Sequence, residues 1–388
     1  MNETRFIAGR LPKLFPPRAK PTSPELLAIG RRLAGGARVR AAEAARAVEI
    51  MMDGQCAPYE AGLFLSAFQS PGCSPEALAA MAGVMRSKMV TVDVRPGEGP
   101  LGDDCGTGGD NLHLFNISTA AIFVLAASGV RIAKHGNRAS TSRCGSADAL
   151  EALGARIDLG PSEVARCIAE TGIGFIFAPS YHPALKNLAA VRRALPFRTV
   201  FNILGPLCNP APLDFQLLGV FHSDLLELAA RAARILEIPR MLAVCGATGI
   251  RGRWMDEVSV SGPTKAVLLS GGRVRRLEIA PRSLGLAPAA FRPLRGGASR
   301  RNAAILAGVV EGRDRGPRAD ACLANAAAGL YAAGVVKDLR EGIGRARRAV
   351  ESGEAMEKLE GFIAATRRGA GGDGRGCAGR TPSPRGPA

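Results

Sequence analysis

The sequence predicts an α/β protein in which a small all-helical N-terminal domain is joined to a larger α/β domain with a central, largely parallel sheet flanked by helices. Three observations predict this class. The chain has 388 residues, more than the ~100–200 that one domain usually holds. Helix signals fill the first part of the chain without a strand pattern, and short apolar runs then alternate with helical segments.

The helical domain is predicted over 22–95, after a basic, Pro-rich extension at 1–21 that lacks periodicity and that we expect to be poorly ordered. Two of its helices are predicted by an N-cap serine followed by proline at the first helical position. Two more are predicted by apolar periodicity between them. The signals are Ser23–Pro24 and Ser74–Pro75, with the periodic stretches at about 40–53 and 58–68.

Strand–helix alternation begins after about residue 95 and continues to 368. The strand-like runs are "VRIA" at 130–133, "IGFIFA" at 173–178, "QLLGVF" at 216–221 and "MLAVCG" at 241–246. Helices are predicted for "SEVARCIAE", "SDLLELAARAARIL" and 318–334. The Gly- and Arg-rich stretch 369–388 is typical of a disordered basic tail.

Composition excludes several classes of protein. No two of the nine cysteines have CxxC spacing, and the chain has only four histidines. We therefore expect reduced thiols, without a structural zinc site or a disulfide framework. The longest apolar run, "AAIFVLAA" at 120–127, is far shorter than the ~20 residues that span a bilayer, and the N-terminus lacks the apolar core of a signal peptide. We therefore expect a cytoplasmic protein with no membrane partner. The formal net charge of +17 suits nucleic acid or anionic small substrates; part of it lies in the chain ends, and we do not expect nucleic acid to be the main partner.

A glycine cluster precedes the most apolar helix of the chain. In "GTGGD", Gly106, Gly108 and Gly109 allow the backbone to approach a ligand closely. Ser118 is predicted as the N-cap of the following helix, whose free N–H groups can bind an anion. The cluster matches neither the Walker loop nor the dinucleotide fingerprint. A tight turn is the alternative interpretation.

A second polar loop, "KHGNRASTS", follows the next predicted strand. Lys134 and Arg138 can neutralise phosphates, and Asn137 with the hydroxyls can donate to them. Loops that follow successive parallel strands meet at the carboxyl edge of a sheet, where ligands bind. This loop alone could be a solvated loop, but the two loops together predict a phosphate site.

Carboxylates and an arginine complete the candidate site. Asp256 and Glu257 precede the strand-like "VSV", and a carboxylate pair near phosphates predicts Mg²⁺, which binds one or two carboxylates together with phosphate oxygens and water. Arg192 lies on the predicted helical stretch 183–194, where its guanidinium could bind the carboxylate of a second substrate. A surface acidic pair and a surface arginine are the alternatives.

Seven motifs in this order resemble the anthranilate phosphoribosyltransferases, within the wider nucleoside phosphorylase-like fold family: "GTGGD", "FNIST", "KHGNR", "GSADALEALG", "HPALKN", "NILGPLCNPA" and "DEVSVSGPT". The resemblance covers about 22–366. It implies a helical domain completed by about 182–212 and a phosphoribosyl pyrophosphate (PRPP)-binding α/β domain formed by 96–181 and 213–368. It also implies transfer of the 5-phosphoribosyl group from PRPP to anthranilate in tryptophan biosynthesis, and a homodimer formed through the helical domain.

Residue roles follow from the same resemblance. For PRPP it implies Gly106, Gly109, Asp110, Asn116, Ile117, Ser118, Thr119, Lys134, His135, Gly136, Asn137, Arg138, Ala139, Ser140, Thr141, Ser142 and Ser146. For anthranilate it implies Gly106, Asn137 and Arg192, with His135 and His182 nearby. For two Mg²⁺ ions per site it implies Ser118, Asp256 and Glu257.

Three departures from the family pattern stand out. Leu114 replaces a usual threonine, Cys144 replaces a usual serine, and the approach to the carboxylates, "CGATGIRGRWMDE", is longer than usual and lacks the customary histidine. Two other functions fit parts of the sequence. One is a pyrimidine nucleoside phosphorylase-like enzyme, for which a different phosphate-binding motif is expected. The other is a non-catalytic nucleic-acid-binding relative, which should lack Asn137 and Arg192.

Overall fold

The computed structural model describes residues 22–68, 73–109, 112–139, 142–195 and 197–368. The predicted extension at 1–21 and the predicted tail at 369–388 lie outside these ranges. Among the described residues, no helix is long and apolar enough to span a membrane.

Four helices form the N-terminal part, as predicted: α1 (Pro24–Ala34), α2 (Ala41–Met52), α3 (Pro58–Ala67) and α4 (Pro75–Ser87). Both serine caps are present. Ser23 Oγ accepts a hydrogen bond from Leu26 N at 3.2 Å, and Ser74 Oγ accepts one from Ala77 N at 3.1 Å. Each cap satisfies an N–H group that would otherwise have no partner within its helix.

The rest of the described residues contain eight strands and eleven further helices. In chain order these are β1 (Leu101–Gly106), α5 (Ile117–Ala127), β2 (Arg131–Gly136), α6 (Ser146–Ala152), α7 (Pro161–Thr171), β3 (Ile173–Phe177), α8 (Ala178–Tyr181), α9 (Ala189–Ala194), α10 (Phe201–Leu204), β4 (Phe215–Gly219), α11 (Leu225–Ile235), β5 (Arg240–Ala247), β6 (Trp254–Met255), β7 (Thr264–Ser270), β8 (Arg273–Ile279), α12 (Ser299–Val310), α13 (Pro317–Ala333), α14 (Leu339–Glu351) and α15 (Glu354–Arg367). Short 3₁₀ segments lie at Pro183–Leu188, Gly205–Cys208, Pro281–Leu284 and Arg292–Leu294.

The strands form one sheet in the order β3-β2-β1-β4-β5-β7-β8, with β6 paired to β5. The first five strands of this order are mutually parallel, whereas β6, β7 and β8 pair antiparallel. The predicted fold class, with its largely parallel sheet, is therefore confirmed. Because β1, β2 and β4 are parallel neighbours, the loops that follow them emerge at one edge.

Mid-chain helices pack on the N-terminal helices. Leu188, Val191, Phe201 and Leu204 are buried in the same apolar cluster as residues of α1 to α4. Burial of each such side chain contributes about 1.5–3 kcal/mol. The mid-chain segment is thereby fixed against the helical part, and it carries His182 and Arg192 with it.

Two sequence-based expectations about elements are wrong, and one strand was missed. Strand β1 was not predicted, because "LGDDCG" contains two aspartates that are nonetheless buried. The "VSV" segment is not a strand, since β7 begins only at Thr264. Ser118 is not an N-cap: α5 begins at Ile117, Asn116 holds the cap position, and Ser118 lies inside the first turn.

Candidate active site

The candidate site lies at the carboxyl edge of the sheet, where β1, β2 and β4 end. Gly106, the last residue of β1, is in register with Gly219, the last residue of β4. A Cβ atom at Gly106 would overlap Asp256 Oδ2, and one at Gly219 would overlap the Asp256 carbonyl oxygen. Glycine at both strand ends therefore allows the carboxylate segment to lie directly on the sheet edge.

The glycine loop binds one of the two predicted metal carboxylates. Gly108 N donates to Asp256 Oδ2 at 2.7 Å. Gly108 and Gly109 have φ values of 66° and 76°, in the left-handed region that favours glycine. A Cβ atom at Gly109 would lie 2.7 Å from Arg198 Nε, so this glycine also allows an arginine to approach the loop.

The start of α5 binds the other carboxylate. Ser118 N donates to Glu257 Oε1 at 3.2 Å. Ile117 and Thr119 are buried, whereas Ser118 between them is partly exposed. The N–H groups of Gly108 and Ser118, at the two positions that the sequence predicts for phosphate, thus each donate to a carboxylate oxygen in this structure.

Negative charge is concentrated at this edge. Burial, together with the nearby carboxylates of Asp104 and Asp256, raises the pKa of Glu257 well above its usual range. The buried Asp104 Oδ2 has no hydrogen-bond partner among the described residues, and burial raises its pKa as well. A divalent cation would relieve this repulsion. In the described ranges, no group of three His, Cys, Asp or Glu side chains could hold a metal ion by itself.

Lys134, on β2, directs its ammonium group between β1 and the start of α5. Its side chain is only 2% exposed, and its Nζ donates to the Asp104 carbonyl oxygen and, at 3.3 Å, to Ser118 Oγ. A buried ammonium group in this position holds positive charge next to the hydroxyl that is predicted to bind Mg²⁺ and pyrophosphate.

The second loop is held by hydrogen bonds to Asp103 on β1 and Ser146 on α6. His135 N donates to Asp103 Oδ1 at 3.3 Å, while Asn209 Nδ2 donates to Asp103 Oδ2 at 3.0 Å. The carbonyl oxygen of Asn137 accepts from Ser146 Oγ at 3.3 Å. A Cβ atom at Gly136 would overlap Ser146 Oγ, so glycine allows this contact.

Arg138 is directed differently from what the sequence predicts. Its guanidinium pairs with Glu151 and with Asp148, at 3.4 Å from the latter, and lies over the ring of Phe177 at 5.6 Å. Its charge is therefore compensated by α6 and is not free to neutralise a phosphate. Ala139 N is likewise occupied, donating to Asp148 Oδ2 at 2.8 Å. Ser142 Oγ donates to the Cys144 carbonyl oxygen, and Asp110, Ser140 and Thr141 lie outside the described residues.

His135 on β2 packs against His182 of the mid-chain segment, which also carries Arg192. The rings of His135 and His182 are 5.0 Å apart. Burial lowers the pKa of His135 to about 3 and that of His182 to about 4, so both are neutral at pH 7. The half-buried Arg192 lies over the Phe201 ring at 5.3 Å, and burial lowers its pKa. No carboxylate in the described ranges forms an ion pair with it, whereas Arg193 is exposed.

Sequence analysis missed the buried asparagines that support these loops. Asn302 on α12 donates to Asn116 Oδ1 at 2.9 Å and accepts from Gly297 N, and Asn116 in turn donates to the Cys144 carbonyl oxygen. Asn325 on α13 bonds the backbone just after Glu257. The only sequence signal for either is a polar residue on the apolar face of a helix.

Comparisons with known proteins agree with this geometry. Residues 28–89 match the family model "Glycosyl transferase family, helical bundle domain", and residues 98–356 match "Glycosyl transferase family, a/b domain". The anthranilate phosphoribosyltransferase of Chloroflexus aggregans is 45% identical over 84% of this chain and 94% of its own length.

Solved structures show the same relationship. That of anthranilate phosphoribosyltransferase from Thermus thermophilus has a TM-score of 0.79 and 39% identity, covering 87% of this chain and 99% of its own. The Saccharomyces cerevisiae enzyme in complex with PRPP and Mg has a TM-score of 0.79 and 26% identity, covering 89% and 98%. The same enzyme in complex with 4-fluoroanthranilate has a TM-score of 0.77 and 25% identity, covering 88% and 97%. On its domains, its identity to relatives and its coverage of them, this chain belongs to the anthranilate phosphoribosyltransferase family.

Proposed function

We propose that this protein transfers the 5-phosphoribosyl group from PRPP to the amine of anthranilate, giving N-(5-phosphoribosyl)anthranilate and pyrophosphate in tryptophan biosynthesis. The observation that carries the proposal is the pair of carboxylates, Asp256 and Glu257, on the N–H groups of Gly108 and Ser118. This arrangement brings two anion-binding loops and two metal-binding side chains to one sheet edge, in a chain of the family named above.

PRPP is assigned to the glycine loop, the start of α5 and the second loop. Gly106, Gly109 and Asp110 contact the ribose phosphate, and Asn116 to Thr119 with residues 134–142 and Ser146 hold the phosphates. The proposal is supported by the donors that the structure directs to this edge. Because the Arg138 guanidinium and Ala139 N bond to carboxylates of α6, we assign to both a role in shaping the second loop. We assign neutralisation of the phosphate charge to Lys134 and to the metal.

Mg²⁺ is assigned to Ser118 Oγ and to the carboxylates of Asp256 and Glu257, with two ions per site. The buried Asp104 Oδ2, which has no hydrogen-bond partner among the described residues, supports a cation here, and so does the Glu257 carboxyl, whose pKa is raised by burial and by the neighbouring carboxylates of Asp104 and Asp256. When bound, Mg²⁺ would neutralise the departing pyrophosphate.

The acceptor is assigned to the side of the second loop that faces the helical part. Arg192 binds the anthranilate carboxylate, with Gly106 and Asn137 lining the ring and His135 and His182 beside it. The amine of anthranilate is neutral at pH 7 and attacks C1 of the ribose as pyrophosphate leaves, so no base is needed beforehand. The nitrogen then loses one proton to solvent or to the departing pyrophosphate. The main contributions of the chain are positioning of two substrates and fixed N–H dipoles at the leaving group.

The domain boundaries, the oligomeric state and the location belong to the same proposal. The helical domain comprises 22–95 and 182–212, and the α/β domain comprises 96–181 and 213–368. Val191 supports this division, because it is buried in one apolar cluster with the N-terminal helices. The family resemblance supports a homodimer through the helical domain and a cytoplasmic location. Light scattering of the purified protein tests the dimer, and substitutions on α1 to α4 test its interface.

The function is tested by incubating the purified protein with PRPP, anthranilate and Mg²⁺ and following pyrophosphate and phosphoribosylanthranilate by mass spectrometry. We expect stoichiometric products that require all three components. Phosphorolysis of a pyrimidine nucleoside without PRPP turnover would instead identify the phosphorylase-like alternative.

A further inference from the structure

Asp256 and Glu257 belong to a segment without regular secondary structure, residues 256–263, which we call the carboxylate loop. Its first two residues lie on the sheet edge with their backbones against Gly219 and Gly246, where a Cβ atom would overlap them. These glycines determine how closely the carboxylate loop approaches the sheet. They do not determine the backbone torsions of the loop. The direction of the two carboxylates therefore depends on what bonds the residues that follow.

Val258, directly after Glu257, is bonded by one side chain. Asn325 Oδ1 accepts from Val258 N at 2.8 Å, and Asn325 Nδ2 donates to the Val258 carbonyl oxygen at 3.1 Å. The remaining donor of the amide binds the Ala321 carbonyl oxygen at 2.8 Å. One amide thus pairs both backbone groups of Val258, as a neighbouring strand would, in a segment where no strand is present.

Asn325 is 0% exposed and lies in the middle of α13, a 17-residue helix that is buried along most of its length. Helix α13 contacts both elements that carry the groups assigned to Mg²⁺. It packs against α5, which carries the Ser118 hydroxyl, and it bonds the loop that carries the two carboxylates. An unpaired amide in this position would cost free energy, so the site requires this amide to be fully bonded.

We propose that Asn325 is a positioning residue that orients the carboxylate loop for Mg²⁺. The inference rests on the proposed function, since the metal it serves is the one assigned there. Side chains that orient metal ligands from behind commonly change metal affinity or activity by about 10- to 100-fold when replaced. A purely structural role for Asn325 predicts lower stability without this change.

The test uses the full chain with Asn325→Ala and Asn325→Ser, the second retaining a hydroxyl that can satisfy one backbone group if the first variant folds poorly. Leu330→Ala is the matched control, because Leu330 is fully buried on the same helix and has only an apolar side chain. Mg²⁺ binding is measured by calorimetry with pyrophosphate present, and turnover is measured against Mg²⁺ and against anthranilate. Thermal unfolding is recorded for all variants.

We expect both Asn325 variants to need about 10- to 100-fold more Mg²⁺, in calorimetry and in turnover, with KM for anthranilate within about twofold of wild type. Leu330→Ala should lose stability and keep the wild-type Mg²⁺ affinity. Wild-type Mg²⁺ affinity in both Asn325 variants would overturn the proposal. A wild-type protein that binds Mg²⁺-pyrophosphate but turns over no PRPP would contradict the proposed function alone, since calorimetry still tests Asn325.

Discussion

At the scale of single residues, Arg192 is the side chain whose surroundings most directly imply a ligand. Its guanidinium is half-buried over Phe201, and no carboxylate of the described residues pairs with it. A buried cation without a counter-ion is costly, and a planar carboxylate is the partner that a guanidinium binds best. We expect Arg192→Ala to raise KM for anthranilate about ten- to a hundredfold, equivalent to ~1.5–3 kcal/mol, and to leave KM for PRPP nearly unchanged.

Arg193→Ala is the internal control for this prediction. Arg193 is exposed, because it points about 100° away around the same helix. Steady-state kinetics of both variants with each substrate varied in turn provide the measurement. Equal losses for both substrates, or a larger effect at Arg193, would show that the carboxylate is recognised elsewhere.

His182 connects the site to the pH dependence of stability. Burial depresses its pKa to about 4, whereas an unfolded histidine titrates near 6.5. The unfolded chain therefore binds the proton first, so the stability contributed by neutral His182 is present above about pH 6.5 and is lost as the pH falls towards 4. This linkage amounts to about 2 kcal/mol between about pH 7.5 and 5.

His182→Phe should remove that part of the acid sensitivity. Urea unfolding at the two pH values, for wild type and variant, measures it, because groups distant from His182 titrate alike in both proteins. The adjacent His135, with a pKa of about 3, is neutral in the folded protein at both pH values. Parallel pH profiles would mean that the pKa of His182 is the same in the folded and the unfolded chain.

At the scale of elements, the loops after β1 and β2 and the carboxylate loop act together. Asp256 and Glu257 lie on N–H groups that phosphate is proposed to bind, so substrate and carboxylate compete for the same donors unless a cation bridges them. Neutral amides in their place cannot bind Mg²⁺ strongly. We expect Asp256→Asn with Glu257→Gln to raise the Mg²⁺ requirement and to lower turnover by orders of magnitude.

The fold of this double variant should be intact, which circular dichroism and thermal unfolding can check. Glu278→Gln, an exposed carboxylate on β8, serves as the control for simple loss of negative charge. Wild-type activity of the double variant at limiting Mg²⁺ would remove the metal assignment.

Elements also show what could be predicted from the sequence. Helices with a cap and an apolar period, such as α1 and α4, are local structures, and their signals are sufficient. Strand β1 is determined by its neighbours: Asp103 is buried only because His135 N and Asn209 supply hydrogen bonds from distant positions. The same limit applies to the site. Residue types predicted the loops and the carboxylate pair, whereas the pairing of Arg138 with Glu151 and the bonding of Val258 by Asn325 depend on packing between elements far apart in the chain.

At the scale of the whole molecule, the formal net charge of +17 is the feature that the proposed reaction does not require. Many of the cations are dispersed and paired, as Arg46 is with Glu25 and Glu49, and Arg166 is with Glu170. Others lie beyond 368, where 369–388 adds three arginines and one aspartate. Dispersed cations attract nucleic acid only through counterion release, and no aromatic-interleaved basic motif is present to add base stacking.

We therefore expect DNA and RNA to bind weakly and to dissociate at moderate salt, because log K falls by about 0.9 per phosphate contact for each tenfold rise in salt on duplex DNA. Fluorescence anisotropy with labelled duplex and single-stranded oligonucleotides across a salt series measures this. A chain ending at Arg368, just after α15, is the matched variant: it should retain PRPP turnover, bind nucleic acid more weakly and show a shallower salt dependence. A sub-micromolar complex that persists at high salt, and that the shortened chain still forms, would mean that the folded part itself recognises nucleic acid, which would favour the binding-protein alternative over an enzyme with a basic surface.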